Sequence, residues 1–159
     1  KTLVVHRKYP PDETFDRMKR WCDMQERAHS EAKRKLNSWG VYGDEAENIV
    51  AELISQNYLN EERFARAFAR GKSRIKSWGW KKIEMELKAK GVSDYSLKAA
   101  FEEIDREEYI DQLFSLARKK SRLIKASKPF EKRQKLLKFL VSKGYSYDDA
   151  NLALQEVMD

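Results

Sequence analysis

The sequence predicts an all-α fold: three tandem three-helix repeats, about nine helices, in an elongated, curved array. One observation is a helix ending written three times: Leu36-Asn37-Ser38-Trp39-Gly40-Val41, Leu87-Lys88-Ala89-Lys90-Gly91-Val92 and Leu140-Val141-Ser142-Lys143-Gly144-Tyr145. Glycine tolerates the left-handed backbone with which helices commonly stop. Gly40, Gly91 and Gly144 are separated by 51 and then 53 residues. A second observation is the pattern downstream of each glycine. Small or apolar residues recur at +6, +9, +10 and +13: Ala46, Ile49, Val50, Leu53; Leu97, Ala100, Phe101, Ile104; Ala150, Ala153, Leu154, Val157. That spacing places four side chains on one helix face. The third is scarcity, with three prolines, six glycines and almost no strand-like alternation in 159 residues. A fixed long period marks a repeat protein whose units bury their faces against neighbours.

Residues 1–11 are expected as a loose leader, closed by the turn residues Pro10-Pro11-Asp12. Repeat 1 spans 12–58. Its first helix runs from about Asp12 to Gln25 with Phe15, Met18, Trp21 and Cys22 on one stripe, its second stops at Gly40, and Asp44 with Glu47 reads as a capping box opening the third. Repeat 2 spans 59–104. Asn60 is the expected N-cap, Leu59 and Phe64 a hydrophobic staple, and Phe64, Phe68, Gly71, Ile75 and Trp78 one face of a long helix ended by Gly79. Ser93 caps the helix after Gly91. Repeat 3 spans 105–159, beginning near Asp105, with its first helix fraying over Ser121 to Lys128. Pro129 suits the first turn of the next helix, and Ser146 with Asp149 opens the last.

Net charge is +7, and its distribution is uneven. Eight basic residues lie between Arg70 and Lys90, including Lys72, Arg74, Lys76, Lys81 and Lys82, against Glu84 and Glu86. Eleven lie between Arg118 and Lys143, including Lys119, Lys120, Arg122, Lys132, Arg133 and Lys135, against Glu131 alone. Acidic residues gather in one block from Asp44 to Glu62 and another from Glu102 to Asp111. Segregated signs predict an oriented surface for a polyanion or an acidic protein groove, beside helix faces that are merely solvated. Arg63, Arg66, Arg70 and Arg74 form one narrow stripe on the Asn60 helix. The stripe suits carboxylates or phosphates bidentately; pairing with Glu61, Glu62 or the acidic blocks is the competing reading. Trp39, Trp78 and Trp80 near helix ends could stack on bases, but Trp39 and Trp78 are expected to pack across units, leaving Trp80 without a core assignment.

Other chemistry finds little support. Gly71-Lys72-Ser73 resembles the tail of a phosphate-binding loop, but Arg66 stands where that motif needs its first glycine. Cys22 and His29 are two ligands, too few for zinc, and His6 lies in the leader. No nucleophile, base and orienting group are brought together by spacing. No enzyme activity, cofactor or metal is expected. One cysteine excludes an internal disulfide and fits a reducing cytoplasm. No apolar run approaches the roughly 18 residues of a membrane span. The chain starts at Lys1 rather than methionine, as a fragment would.

Cys22-Asp23-Met24-Gln25-Glu26-Arg27, Lys35-Leu36 and Trp39-Gly40-Val41 together resemble the RecX family, regulators of the RecA recombinase. More specific is Tyr58-Leu59-Asn60-Glu61-Glu62-Arg63-Phe64-Ala65-Arg66-Ala67-Phe68, similar to that family's Y-L-[ND]-[DE]-x-R-F-A signature. The likeness continues through Gly79, Lys82-Ile83, Glu86-Leu87, Lys90-Gly91-Val92, Phe139-Leu140 and Lys143-Gly144-Tyr145-Ser146, and covers about residue 20 to the end; the cysteine-bearing first unit and Arg70-Gly71-Lys72 most resemble Bacteroidetes forms. The resemblance implies a regulator that binds the helical groove of the RecA filament on single-stranded DNA; a monomer is expected. It also implies inhibition of ATP hydrolysis, strand exchange and coprotease cleavage. Direct binding to DNA through the basic faces is the alternative.

Overall fold

The computed structural model describes residues 6–158. Among them are nine helices and no strand: α1 (Pro11–Met24), α2 (His29–Ser38), α3 (Gly43–Ser55), α4 (Glu61–Lys76), α5 (Trp80–Ala89), α6 (Asp94–Glu103), α7 (Arg106–Leu123), α8 (Pro129–Ser142) and α9 (Tyr147–Met158). They build three triplets, each around its own apolar cluster. Met18, Leu36 and Leu53 centre the first, Phe64, Ile83 and Leu87 the second, and Leu113, Leu136 and Leu140 the third. The accessible surface is 10127 Å², against about 8300 Å² for a compact 18.8 kDa globule. That excess is the signature of an extended array.

Local chemistry sets most boundaries. Asn60, Ser93 and Asp105 accept backbone N–H groups of Arg63, Ser96 and Glu107, satisfying donors that open α4, α6 and α7. The Asp149 N–H donates to Ser146 Oγ at 3.1 Å, and Pro129 occupies the first turn of α8. Gly40, Gly91 and Gly144 all sit at positive φ, as their repeated helix ending predicts.

Several expectations are corrected. The chain enters α3 through left-handed Gly43, so Asp44 lies inside the first turn and forms no capping box; Glu47 instead pairs with Lys33 at 3.5 Å. The α4 helix ends at left-handed Ser77, not Gly79, which precedes α5 with φ −77. Trp78 therefore lies beyond the helix, and Ile75 is 81% exposed rather than on its buried face. Leu59 and Phe64 divide between the first and second clusters. The α7 helix holds to Leu123, beyond the point where fraying is expected. Of the leader, residues 1–5 lie outside the described range; His6 and Arg7 press against Gly40, and the Lys8 N–H donates to the Trp39 carbonyl at 2.9 Å.

The three glycine endings share a second property. The carbonyl preceding each glycine is capped by another segment: Trp39 by the Lys8 amide, Lys143 by the Gly79 amide at 2.8 Å, and Lys90 by the Ser30 hydroxyl at 2.9 Å. The last two of these contacts join consecutive triplets. Ala28, from the link between α1 and α2, completes the first joint by inserting into the second cluster.

Candidate polyanion and partner interface

The arginine stripe is consumed by intramolecular pairing. Arg63 meets Glu26 at 2.5 Å, Arg66 meets Glu62 at 3.0 Å and Glu103 at 3.2 Å, Arg70 meets Glu103 at 2.6 Å, and Arg74 meets Glu108 at 2.7 Å. The α4 helix thus crosslinks the first triplet, the end of α6 and the start of α7. Glu103 binds two guanidiniums; hydrogen bonding to Arg70, then to Arg66, holds its carboxyl below the ordinary value of 4.5 despite partial desolvation. The competing reading of the stripe describes this geometry.

The lysines behave differently. Lys72 Nζ and Lys82 Nζ lie 4.9 Å and 4.5 Å from the centre of the Trp78 ring, a cation on an electron-rich face from each. Burial, and then the charges of Lys82 and Lys76, pull the Lys143 amine below its ordinary pKa. Lys72, Lys76, Lys82 and Lys143 therefore form one cationic neighbourhood at the joint between the second and third triplets. Among the described residues none of the four has an ion-pair partner. Like charges held together raise the local positive potential, although Glu26 and Glu31 line the same cleft as Lys72 and Lys76. Exposed Lys81, next along α5, is also without an ion pair among the described residues. Sequence reading places Lys143 in a basic run but not in the site; its proximity to Lys82 arises from the contact of Gly144 with the start of α5, which periodicity does not reveal.

In the third triplet Arg118 pairs with Glu156 at 3.2 Å and Lys135 with Glu131 at 3.2 Å, while Lys120 lies over Phe139 at 4.6 Å. Lys119 and Arg122 are exposed on α7, and Lys132 and Arg133 half-buried on α8. The tryptophans serve the scaffold. Trp39 packs edge-on to Tyr9 of the leader and Trp78 to Phe68 of its own triplet, neither across units. Trp80, given no core role by the sequence, packs against both the second and third clusters, and its indole N–H donates to Glu84 at 2.7 Å.

No group of residues able to hold a metal occurs among those described, and no described helix is long and apolar enough to cross a membrane. Cys22 is buried; desolvation pushes its thiol up to about 11, away from the reactive thiolate.

Fold and surface define an all-α repeat protein with a basic joint between its second and third triplets. Family models match on that ground: the second three-helix domain of RecX over residues 60–100 and the third over residues 107–154. The chain belongs to the RecX family. A "Regulatory protein RecX" of Clostridium perfringens is 36% identical over 127 residues, 79% of this chain and 59% of that relative. The crystal structure of RecX from Lactobacillus salivarius superposes with a TM-score of 0.78 at 23% identity, covering 92% of this chain and 96% of that one. A second RecX crystal structure gives 0.81 at 21% identity, over 91% of this chain and 71% of that one. The chain spans about half to three fifths the length of the curated relatives it matches.

Proposed function

We propose that this chain is a negative modulator of the RecA recombinase. It binds the RecA filament on single-stranded DNA and inhibits its ATPase, strand-exchange and coprotease activities. Family membership supports the reading, and one observation carries it: the unneutralised lysine neighbourhood around Trp78. An extended array with a cationic joint makes many shallow contacts, steered by charge, and obstructs protomers that must move to hydrolyse ATP. It works in the cytoplasm as a monomer, by occupancy, without a cofactor and without making bonds. In this reading Lys72, Lys76, Lys81, Lys82 and Lys143 form the principal contact, Lys119, Arg122 and Lys132 extend it, and the α4 arginines hold the scaffold.

The test is titration of the protein into cognate RecA hydrolysing ATP on single-stranded DNA. Inhibition at substoichiometric or stoichiometric ratios is expected; unchanged hydrolysis at saturation would remove the reading. The same lysines also fit phosphate, so direct DNA binding is the second reading. A pure phosphate binder would lose affinity with a salt slope near −0.7 per contact on single strands. It would bind DNA equally with and without RecA, whereas tighter binding to the filament is expected.

A further inference from the structure

The residue ten positions after the glycine is buried or half-buried in the first and third triplets: Val50 is half-buried and Leu154 is 1% exposed. In the second triplet Phe101 occupies that position and is 56% exposed. It forms the wall of a cleft of about 280 Å³ between the second and third triplets, with Trp80, Ile104, Tyr109, Gly144 and Ser146. The Trp80 and Phe101 rings meet edge-on, their centroids 5.1 Å apart, so the wall is already braced.

Most polar groups around this cleft already make a bond within the protein, the Tyr109 and Ser146 hydroxyls as acceptors. The Trp80 indole N–H donates to Glu84, and the Trp80 backbone N–H donates to the Tyr109 hydroxyl at 2.8 Å. Ser146 Oγ accepts the Asp149 N–H, while both Asp149 carboxylate oxygens accept from Arg106 at 2.6 Å and 3.0 Å. A nucleobase inserted here would bury several edge donors and acceptors against a lining that is mostly apolar, with few groups to meet them, at a desolvation cost. An aliphatic or aromatic side chain would not. Lys81 also borders the cleft, exposed and without an ion pair among the described residues, so the rim favours a carboxylate beside the apolar group.

The geometry points to a protein-docking site: the Trp80–Phe101 cleft receives one large apolar side chain, such as Phe or Leu, from an acidic segment of a partner protein. Placing that segment on RecA rests on the proposed function; the site itself does not. An exposed aromatic wall braced by a second ring is the kind of pocket that a partner's side chain desolvates on binding, where a hot spot forms.

The test uses the full chain, 15N-labelled, and the probe peptide acetyl-Glu-Asp-Phe-Asp-Glu-amide, monitored by NMR. The Trp80 indole and the Gly144 and Ser146 amides are expected to shift. Affinity should fall at least tenfold when alanine replaces the phenylalanine of the peptide, or in a Phe101→Ala variant, and about threefold in Lys81→Glu, which keeps the cleft intact. Oligothymidylate shifting these signals in place of the peptide would overturn the inference in favour of a base site. Self-association through the same signals without a peptide effect would overturn it in favour of a second copy, and no shift at all would end it. Peptide binding combined with unaltered RecA-filament binding by Phe101→Ala would uphold the docking site and remove RecA as its occupant.

Discussion

Gly79 and Gly144 meet backbone to backbone, so that a Cβ on Gly79 would fall on the Gly144 carbonyl. The Gly79 amide donates to the Lys143 carbonyl, the Lys81 amide donates to the Gly144 carbonyl at 3.0 Å, and the Tyr145 hydroxyl donates to the Ser77 carbonyl at 2.9 Å. The joint between the second and third triplets thus includes a direct main-chain contact, beside the side-chain contacts of Trp80 and of Arg74 with Glu108. Gly79→Ala should lose about 1–3 kcal/mol by urea denaturation, the cost of overpacking a site whose neighbours are backbone. An unchanged midpoint would show that the joint yields.

Gly71 gives the opposite expectation. It lies inside α4 with ordinary helical φ, and a Cβ there meets nothing within 4 Å. Gly71→Ala should stabilise by about 0.5–1 kcal/mol through helix propensity. Destabilisation in a thermal melt would contradict this.

Glu103 ties stability to pH. Its folded carboxyl is held below 4.5 by Arg70 and Arg66, so the native state binds the proton less readily than the unfolded chain. Stability from this group is complete above the unfolded value and is lost as pH falls through about 4.5 and below. Partial exposure keeps the contribution under about 1 kcal/mol. Urea unfolding of the natural chain and Glu103→Gln should differ near neutrality and converge in acid; parallel curves would remove the linkage.

Charge reversal should separate lysines from arginines. Lys76→Glu with Lys82→Glu should weaken filament binding by at least tenfold (about 1.4 kcal/mol) while leaving the melting temperature unchanged or higher, since repulsion on Lys143 is relieved. Arg70→Glu sets like charges together at Glu103 and should lower the melting temperature. The reverse pattern, with stable Arg70→Glu defective in binding, would return the interface to the stripe.

Cys22 should resist iodoacetamide at about pH 8 in the folded protein, because its thiol titrates at about 11. Mass spectrometry in rising urea should show alkylation only through the unfolding transition; rapid native labelling would place the thiol at the surface.

The triplet architecture is legible in the sequence because its signals are local. A helix stopped by glycine and an i, i+3, i+4, i+7 stripe need no knowledge of what lies opposite, and Asn60 and Ser93 advertise their caps. The candidate site is less legible because net local charge does not report pairing across units. Glu103 and Glu108 lie more than thirty residues from the arginines they neutralise. Lys143 reaches Lys82 only through the close approach of two glycines. Phe101 reads as core because its periodic position is core in the other triplets. Its exposure arises where two triplets meet, a boundary that repetition within one triplet cannot describe.

The two joints of this array differ in make-up, and they should answer differently to substitution. Where main chain touches main chain at Gly79 and Gly144, any added side chain must displace backbone, so the angle there resists change. Where the Ser30 hydroxyl, the Ala28 methyl and the Arg63–Glu26 pair make the seam, side chains alone hold the bend, and a substitution among them can reset the tilt of the first triplet without moving main chain.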